Sequence, residues 1–191
     1  MDGQVHVDVP RSREQLLSAF ASVHSQATEV WRRCSDEQFF APAADGGWSP
    51  ARNVTHLVDS LSAVTRALRL PRFVPRLLFG AARQPSRSFE EVVLAYRGAL
   101  SGGAGAGRYT PSEVSAEADP AATRRQVLAR WQAALPALSA AIVRWDEAAL
   151  DRIRLPHPIL GKLTVREMLH FSLYHLAHHA NVVAQRLNKT S

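Results

Sequence analysis

Histidines are concentrated near the C-terminus of this chain. Four of its eight histidines fall within LHFSLYHLAHHANVV (169–183), and three of those lie within five residues. His175 and His179 are four residues apart, so on a helix they lie one turn apart on the same face. Such a pair can bind one divalent metal ion if a third ligand comes from another helix. The same pair can equally form hydrogen bonds across a helical core. Because a four-residue spacing is common, it does not by itself distinguish the two arrangements.

The neighbouring apolar residues indicate which histidines face inward. The apolar stripe of the predicted helix consists of Val165, Leu169, Leu176, Ala180, Val183 and Leu187. With about 100° of rotation per residue, His179 lies close to the centre of this stripe and His175 lies at its flank. Both should therefore face the core. His178 lies further round the helix, at the boundary between the core face and the solvent face. His170 points away from the core face and should be exposed to solvent.

A third ligand has two candidates on other predicted helices. His56 lies off the centre of its own apolar stripe, but it stands beside the small residues Ser60, Ala63 and Ala67, which would let another helix approach closely. His24 lies nearer the core face of its helix. A lone histidine on an apolar face is more often a hydrogen-bonded core residue than a ligand. The residues alone leave this choice open.

The motif of the zinc proteases is absent. That motif requires Glu directly after the first histidine as the general base, and Leu176 occupies this place. No Asp or Glu is placed by a motif as a general base. Asp59, one turn after His56, is either a partner that orients a metal ligand or a solvated helix charge. We favour the solvated charge.

Capping signals and apolar spacing divide the chain into amphipathic helices. Thr164 with Glu167 forms a capping box before the histidine-rich helix, and Ser49 before Pro50 begins the helix of His56. Four long helices and one short one predict an all-α fold, an antiparallel four-helix bundle with a short extra helix and irregular connections. No segment alternates convincingly as a strand would.

One connection is unusual for its prolines and apolar residues. LPRFVPRLLFGAARQPSRS (70–88) contains three prolines, and several of its large apolar residues look exposed. We predict an irregular connection folded onto the bundle. The alternatives are a lid over a site or a subunit contact in a homodimer.

Composition and charge restrict the class of protein. At 191 residues, with 46% hydrophobic and 21% charged residues, the chain is expected to form one domain spanning residues 1–191. It shows no signal peptide and no apolar run near the roughly 20 residues of a membrane span, so no membrane partner is expected. A single cysteine, Cys34, fits a reducing, cytoplasmic location. The net charge of +6 is spread among acidic residues, which predicts no nucleic-acid partner.

Two stretches together resemble the signatures of the DinB-like family. GGWSPARNVTHLVDS (46–60) resembles its tryptophan–Ser–Pro helix start, and GKLTVREMLHFSLYHLAHHANVV (161–183) resembles its last helix. The resemblance implies a four-helix bundle in which His56, His175 and His179 bind a divalent metal ion. By the same resemblance His178 is not a ligand and His24 is left to line the pocket. Three imidazoles suit Zn²⁺, Ni²⁺ or Fe²⁺, with zinc slightly preferred.

The resemblance also implies an activity and marks one departure. Family members include bacterial metal-dependent hydrolases and thiol transferases that use bacillithiol or mycothiol, so we expect a small-molecule substrate or a low-molecular-weight thiol as partner. A three-ligand site leaves an open position, where water would serve hydrolysis and a thiol would serve transfer. The competing class is a non-enzymatic, stress-associated metal-binding bundle. The family's Arg-Gly-Gln is replaced here by residues 180–182, Ala-Asn-Val, so substrate contacts at these positions do not carry over.

Overall fold

Helices and one two-stranded hairpin make up the structure of this chain. The computed structural model describes residues 4–44, 46–105, 110–115 and 119–189. Its helices are α1 (Arg13–Arg33), α2 (Asp36–Phe40), α3 (Pro50–Arg69), α4 (Phe73–Phe79), α5 (Phe89–Ser101), α6 (Pro120–Ile142), α7 (Glu147–Arg152) and α8 (Val165–Lys189). Its strands β1 (Arg154–His157) and β2 (Gly161–Thr164) pair antiparallel. Among these residues no helix is long and apolar enough to cross a membrane.

The four long helices α1, α3, α6 and α8 form the bundle. Helix α3 packs against α6, α1 packs against α8, and α3 also contacts α8. Three tryptophans, Trp31, Trp131 and Trp145, are fully buried between the helices. Burial of such large aromatic side chains is a principal driving force for folding. The predicted all-α, four-helix-bundle fold is confirmed.

Side chains cap the helices that carry the histidines. The Ser49 hydroxyl accepts a hydrogen bond from the backbone N–H of Arg52 at 3.2 Å, at the start of α3. At the start of α8, the Glu167 N–H donates to Thr164 Oγ1 at 3.1 Å, and the Thr164 N–H donates to Glu167 Oε2 at 3.0 Å. These bonds satisfy backbone donors that have no partner inside a helix. Both helix starts therefore lie where the sequence predicts them.

The segment 70–88 contains a short helix, α4, where we predicted an irregular connection. Phe73, Leu77 and Leu78 of α4 are exposed, as the sequence suggested. Helix α4 packs against strand β1 on the outside of the bundle. No residue of this segment lines the cavity beside the histidines described below. In this structure the segment therefore does not cover that site.

The β hairpin between α7 and α8 was not predicted. Each strand is four residues long, and Pro156 lies within β1, where proline weakens a strand signal. Residues 158–160 form the turn, and Gly161 then adopts φ 73°, a left-handed conformation that glycine reaches without steric cost. The hairpin places residues 155–159 beside the N-terminal half of α8.

His170 is buried, contrary to our expectation of a solvated side chain. Only 3% of its surface is exposed, and its ring lies 5.9 Å from that of Phe89 on α5. A helical wheel describes the burial of a helix that has one core face. The N-terminal half of α8 is instead covered on several sides, by α5, α7 and the hairpin. Burial lowers the pKa of His170 to about 4.

Candidate metal centre

The structure brings three histidines together at the contact between α3 and α8. The Nε2 atom of His175 lies 3.1 Å from that of His56 and 3.0 Å from that of His179. One nitrogen of each ring lies within 4.8 Å of the other two. His56 and His175 are buried, and His179 is partly buried. These are the three residues that the DinB-like resemblance indicated, and His24 is not among them.

The start of α3 positions two of these rings through Trp48. The indole lies edge-on to His56 at 5.0 Å between ring centroids and stacks on His179 at 5.8 Å. The Arg52 guanidinium lies over the same indole at 5.0 Å. Such aromatic and cation–π contacts restrict the rotation of the rings. Trp48 therefore links the ligand candidate of α3 to one of α8.

Asn53 orients His179. Its Nδ2 donates to the backbone carbonyls of Trp48 and Ser49, so the amide oxygen points towards the histidine. His179 Nδ1 lies 2.6 Å from that oxygen and must donate its proton to it. The neutral ring then has an unprotonated Nε2, which faces the other two histidines. A hydrogen bond of this kind on the far nitrogen is typical of metal-binding histidines.

The donor set fits a divalent metal ion. In a tetrahedral site with metal–nitrogen distances of about 2.0–2.1 Å, the nitrogens lie about 3.3 Å apart. The observed separations of 3.0 and 3.1 Å are close to this value. Burial lowers the pKa of His175 and of His179 well below the usual range, and positive charge on neighbouring histidines lowers it further. Both rings are therefore neutral near pH 7, as metal binding requires.

Two other candidates have structural explanations. The ring of His24 stacks on Trp131 at 4.4 Å, and its Nε2 lies 3.2 Å from the Trp131 carbonyl oxygen. His24 is thus a satisfied core residue, and it does not line the cavity. Asp59 is exposed and pairs with Arg130 of α6 at 3.0 Å. It is the solvated helix charge that we favoured, and Asn53 makes the orienting contact instead.

A largely apolar cavity of about 470 Å³ opens beside the three histidines. Helix α3 contributes small residues to its wall, α5 contributes Tyr96 and Leu100, and the hairpin contributes residues 155–159. Phe171 and His178 line it from α8. His178 stacks on Tyr174 at 5.8 Å and is not part of the three-histidine cluster. An apolar wall with a few polar groups is typical of a small-molecule site.

Sequence reasoning missed a further histidine in this wall. His157 ends β1, is 7% exposed and packs edge-on to Phe171 with ring centroids 4.2 Å apart. Phe171 in turn stacks on His175 at 5.0 Å. The only sequence signal was the Pro-His-Pro context before Gly161, which indicates a turn but not its position in the fold. The contact with the site depends on tertiary packing.

Two solved structures resemble this chain over nearly its whole length. One is YfiT from Bacillus subtilis, a probable metal-dependent hydrolase with an unusual four-helix bundle topology. It has a TM-score of 0.57 and 17% identity, and the match covers 97% of this chain and 94% of YfiT. The other is the colibactin self-resistance protein ClbS, with a TM-score of 0.52, 19% identity, and coverage of 95% and 96% respectively. At these identities the likeness shows the fold.

The structure of ClbS is a complex with double-stranded DNA. This finding overturns our expectation that a nucleic acid is not a partner. The expectation rested on scattered charge and on the lack of a basic run in the sequence. Phosphate contacts need basic residues that are close in space, and these need not be consecutive in the chain. The absence of a basic run in the sequence therefore does not exclude a nucleic-acid partner for a protein of this fold.

The family itself follows from the sequence. A comparison with curated proteins gives no match. The sequence model of the DinB superfamily matches residues 19–183, from α1 to the last turns of α8, and this range contains all three clustered histidines. The chain belongs to the DinB superfamily.

Proposed function

We propose that His56, His175 and His179 bind one divalent metal ion, with zinc slightly preferred over nickel and iron. The observation on which this proposal depends is that the Nε2 atom of His175 lies 3.1 Å from that of His56 and 3.0 Å from that of His179, with all three ligand nitrogens within 4.8 Å of one another. Nitrogen ligands suit all three metals, and a compact tetrahedral arrangement favours zinc. The hydrogen bond from His179 to Asn53 supports the proposal because it leaves the inward nitrogen unprotonated.

We further propose that the site is enzymatic, either a hydrolase or a low-molecular-weight thiol transferase of bacterial type. A bound ion would activate water or a thiol as a nucleophile. Three protein ligands beside a cavity of about 470 Å³ leave room for such a group, whereas structural zinc sites usually have four protein ligands. YfiT, which shares the fold, is a probable metal-dependent hydrolase.

The protein residues around the centre would bind and orient the substrate. Trp48, Tyr96 and Phe171 line the cavity and offer apolar surface to a substrate. Burial raises the pKa of Tyr96, so its hydroxyl stays protonated at neutral pH. The alternative is a non-enzymatic metal-binding protein in which the same centre only stabilises the bundle. We also propose that the chain forms one domain and is cytoplasmic. The single domain depends on composition, and the location depends on the single cysteine, Cys34.

Metal analysis of the full-length protein tests the first step. Wild-type protein purified and dialysed under metal-replete conditions should contain about one equivalent of metal, and His56→Ala should contain almost none. His24→Ala is the matched control, because it removes a buried histidine outside the cluster. Equal metal content in wild type and His56→Ala would refute the site. Turnover of activated esters, or of a thiol with an electrophile, then separates the enzyme from the structural alternative.

A second candidate function, DNA binding, is favoured by an arginine-rich segment. We define this arginine segment as residues 66–87, which contain six arginines and no acidic residue. Arg72 and Arg87 pair with Asp146 and Glu167. Four arginines make no ion pair with any residue in the described ranges: Arg66, Arg69, Arg76 and Arg83. These four are exposed, so their charge is available to phosphates.

Salt-dependent binding of duplex DNA tests this second function. We expect the triple variant Arg69→Ala, Arg76→Ala and Arg83→Ala to weaken binding and to reduce the slope of log K against log salt by about 2–3. The control triple variant removes the same charge from α1 and α6: Arg32→Ala, Arg125→Ala and Arg130→Ala. Equal losses in the two triple variants would refute a role for the arginine segment.

A further inference from the structure

We propose that the Nε2–H group of His157 is a hydrogen-bond donor that positions the ligand in the cavity beside the three histidines. The ligand class that this arrangement fits is a molecule with a metal-binding head, an apolar body and a carbonyl or carboxylate oxygen between them. This inference rests on the proposed metal site, because the head group is assigned to that site. Nothing in the family signature identifies His157, which lies in the hairpin before α8.

The turn of the hairpin determines which nitrogen of His157 carries the proton. The backbone N–H groups of Ile159 and Leu160 both donate to Nδ1, at 3.2 and 3.0 Å. A ring nitrogen that accepts hydrogen bonds has no proton, so the neutral ring is protonated at Nε2. Burial lowers the pKa of His157 to about 4, so the ring is neutral near pH 7. His157 is thus a donor at Nε2 and has no lone pair there to act as a base.

The Nε2 atom of His157 is not fully enclosed by the protein. His157 lines the cavity, and its Nε2 has no hydrogen-bond partner among the residues that the structure describes. Both ring nitrogens of His170 are fully enclosed and have no hydrogen-bond partner, whereas Nε2 of His157 is not among the enclosed atoms of this kind. An accessible donor in a largely apolar wall gains most from an acceptor on a ligand, because little water is there to replace it.

The position of His157 relative to the cluster defines the shape of the ligand. Phe171 lies between the two sites, edge-on to His157 at 4.2 Å and stacked on His175 at 5.0 Å between ring centroids. His157 therefore lies one aromatic ring away from the cluster, too far to be a ligand of the same ion and near enough to contact a molecule bound to it. Leu155 and Ile159 of the hairpin supply the apolar surface next to it.

Two substitutions separate this role from a purely structural one. In His157→Asn the amide oxygen can take the place of Nδ1 and accept the N–H bonds of Ile159 and Leu160, but no donor remains at the Nε2 position. In His157→Gln the amide nitrogen can take the place of Nε2. If His157 only supports the turn, His157→Asn should preserve the function of the site better than His157→Gln. The positioning role predicts the opposite order.

The first measurement needs no metal. In the metal-free full-length protein at pH 7, nitrogen-15 chemical shifts should show a protonated Nε2 and an unprotonated Nδ1 for His157. A ring protonated at Nδ1 would overturn the inference, because both hydrogen bonds from the turn and the free Nε2 donor would then be absent.

The second measurement uses the cobalt-loaded protein and two thiol probes. N-Benzyl-3-mercaptopropanamide has a thiol, an amide carbonyl and a phenyl ring, whereas 5-phenylpentane-1-thiol has a similar length without the carbonyl. Binding is followed by the thiolate-to-cobalt charge-transfer absorbance. His157→Asn should weaken the amide probe about tenfold and leave the alkyl probe within about threefold of wild type. His157→Gln should retain most of the affinity for the amide probe.

The outcomes distinguish this inference from the proposed function. If the wild-type protein gives no cobalt spectrum before a probe is added, the metal site itself is refuted, and the inference falls with it. If cobalt and both probes bind but His157→Asn weakens both equally or neither, the metal site stands and the positioning role of His157 is wrong. A selective loss of the amide probe in His157→Asn, restored in His157→Gln, would support the role.

Discussion

Asn53→Ala tests whether the metal centre depends on the orientation of His179. Asn53 is 2% exposed, and its amide oxygen accepts the Nδ1 proton of His179 at 2.6 Å. Without this acceptor the ring can place its proton on Nε2, and a protonated Nε2 cannot bind a metal ion. Water cannot easily replace the amide because the position is buried. The substitution thus changes the state of a ligand without removing the ligand.

The expected effect is a loss of metal affinity of about 10–100-fold, the range found when such supporting partners are removed. This loss corresponds to about 1.4–2.7 kcal/mol of binding free energy. Competition with a chromophoric chelator of known affinity measures it directly. Asn53→Asp should lose less, because a carboxylate still accepts the Nδ1 proton. It does lose the two bonds that Asn53 Nδ2 donates to the carbonyls of Trp48 and Ser49.

Asn181→Ala is a matched control on α8. The Asn181 amide oxygen also accepts a bond of 2.6 Å, but from the backbone of Val5, and its Nδ2 donates to the Val5 carbonyl at 3.0 Å. This substitution should lower stability without changing metal affinity. Zinc affinity in Asn53→Ala equal to that of wild type would show that Asn53 does not control the protonation of His179. A loss in Asn181→Ala as large as that in Asn53→Ala would contradict this role as well.

Two further predictions concern stability. Because the pKa of His170 falls to about 4 in the folded protein, the unfolded chain binds an extra proton at this residue between about pH 6.5 and pH 4. The contribution of His170 alone should lower the free energy of unfolding by about 3 kcal/mol as the pH drops through this window. Thermal unfolding of metal-free protein at pH 7 and pH 4.5 should show a smaller loss for His170→Leu than for wild type, while His6→Leu, at an exposed site, should match wild type. Arg166→Ala should lower the free energy of unfolding by about 1–3 kcal/mol in urea titrations, since it removes bonds of 2.6 Å to both Glu147 and Asp151. A loss no larger than that of Arg130→Ala, which breaks an exposed pair, would contradict a structural role for the Arg166 ion pairs.

The sequence contained enough information to predict the bundle and two of the three clustered histidines. Helix starts depend on local capping, so Ser49 and Thr164 could be identified from neighbouring residues. The pairing of His175 with His179 follows from helical geometry alone. His56 was different, because it lies off the apolar stripe of its own helix. Only the family resemblance indicated it, and the contact between α3 and α8 explains its burial.

The failures share one physical cause, which is that periodicity describes a helix with a single buried face. His170 was predicted to be exposed because it lies opposite the apolar stripe, yet α5 and α7 cover that side of α8. His157 and Asn53 were missed because their roles depend on partners far away in the sequence. Asn53 contacts His179, 126 residues later, through a hydrogen bond that no local pattern encodes.

The start of α3 illustrates why a short motif can contain more information than the periodicity of a whole helix. In the stretch WSPARNVTH (48–56), Ser49 caps the helix, Trp48 packs on two histidine rings and Asn53 orients one of them. His56 is the candidate ligand itself. Trp48 and Asn53 both contact His179, so a change at either position should alter the position of this candidate ligand on α8. These contacts require the indole, the amide and the imidazole to follow one another at a particular spacing along the chain, because each residue of a helix is rotated by about 100° from the one before it. A one-residue insertion between Asn53 and His56 would therefore rotate His56 by about 100° relative to Trp48 and Asn53, and the two ends of this motif could no longer contact the same pair of histidines on α8.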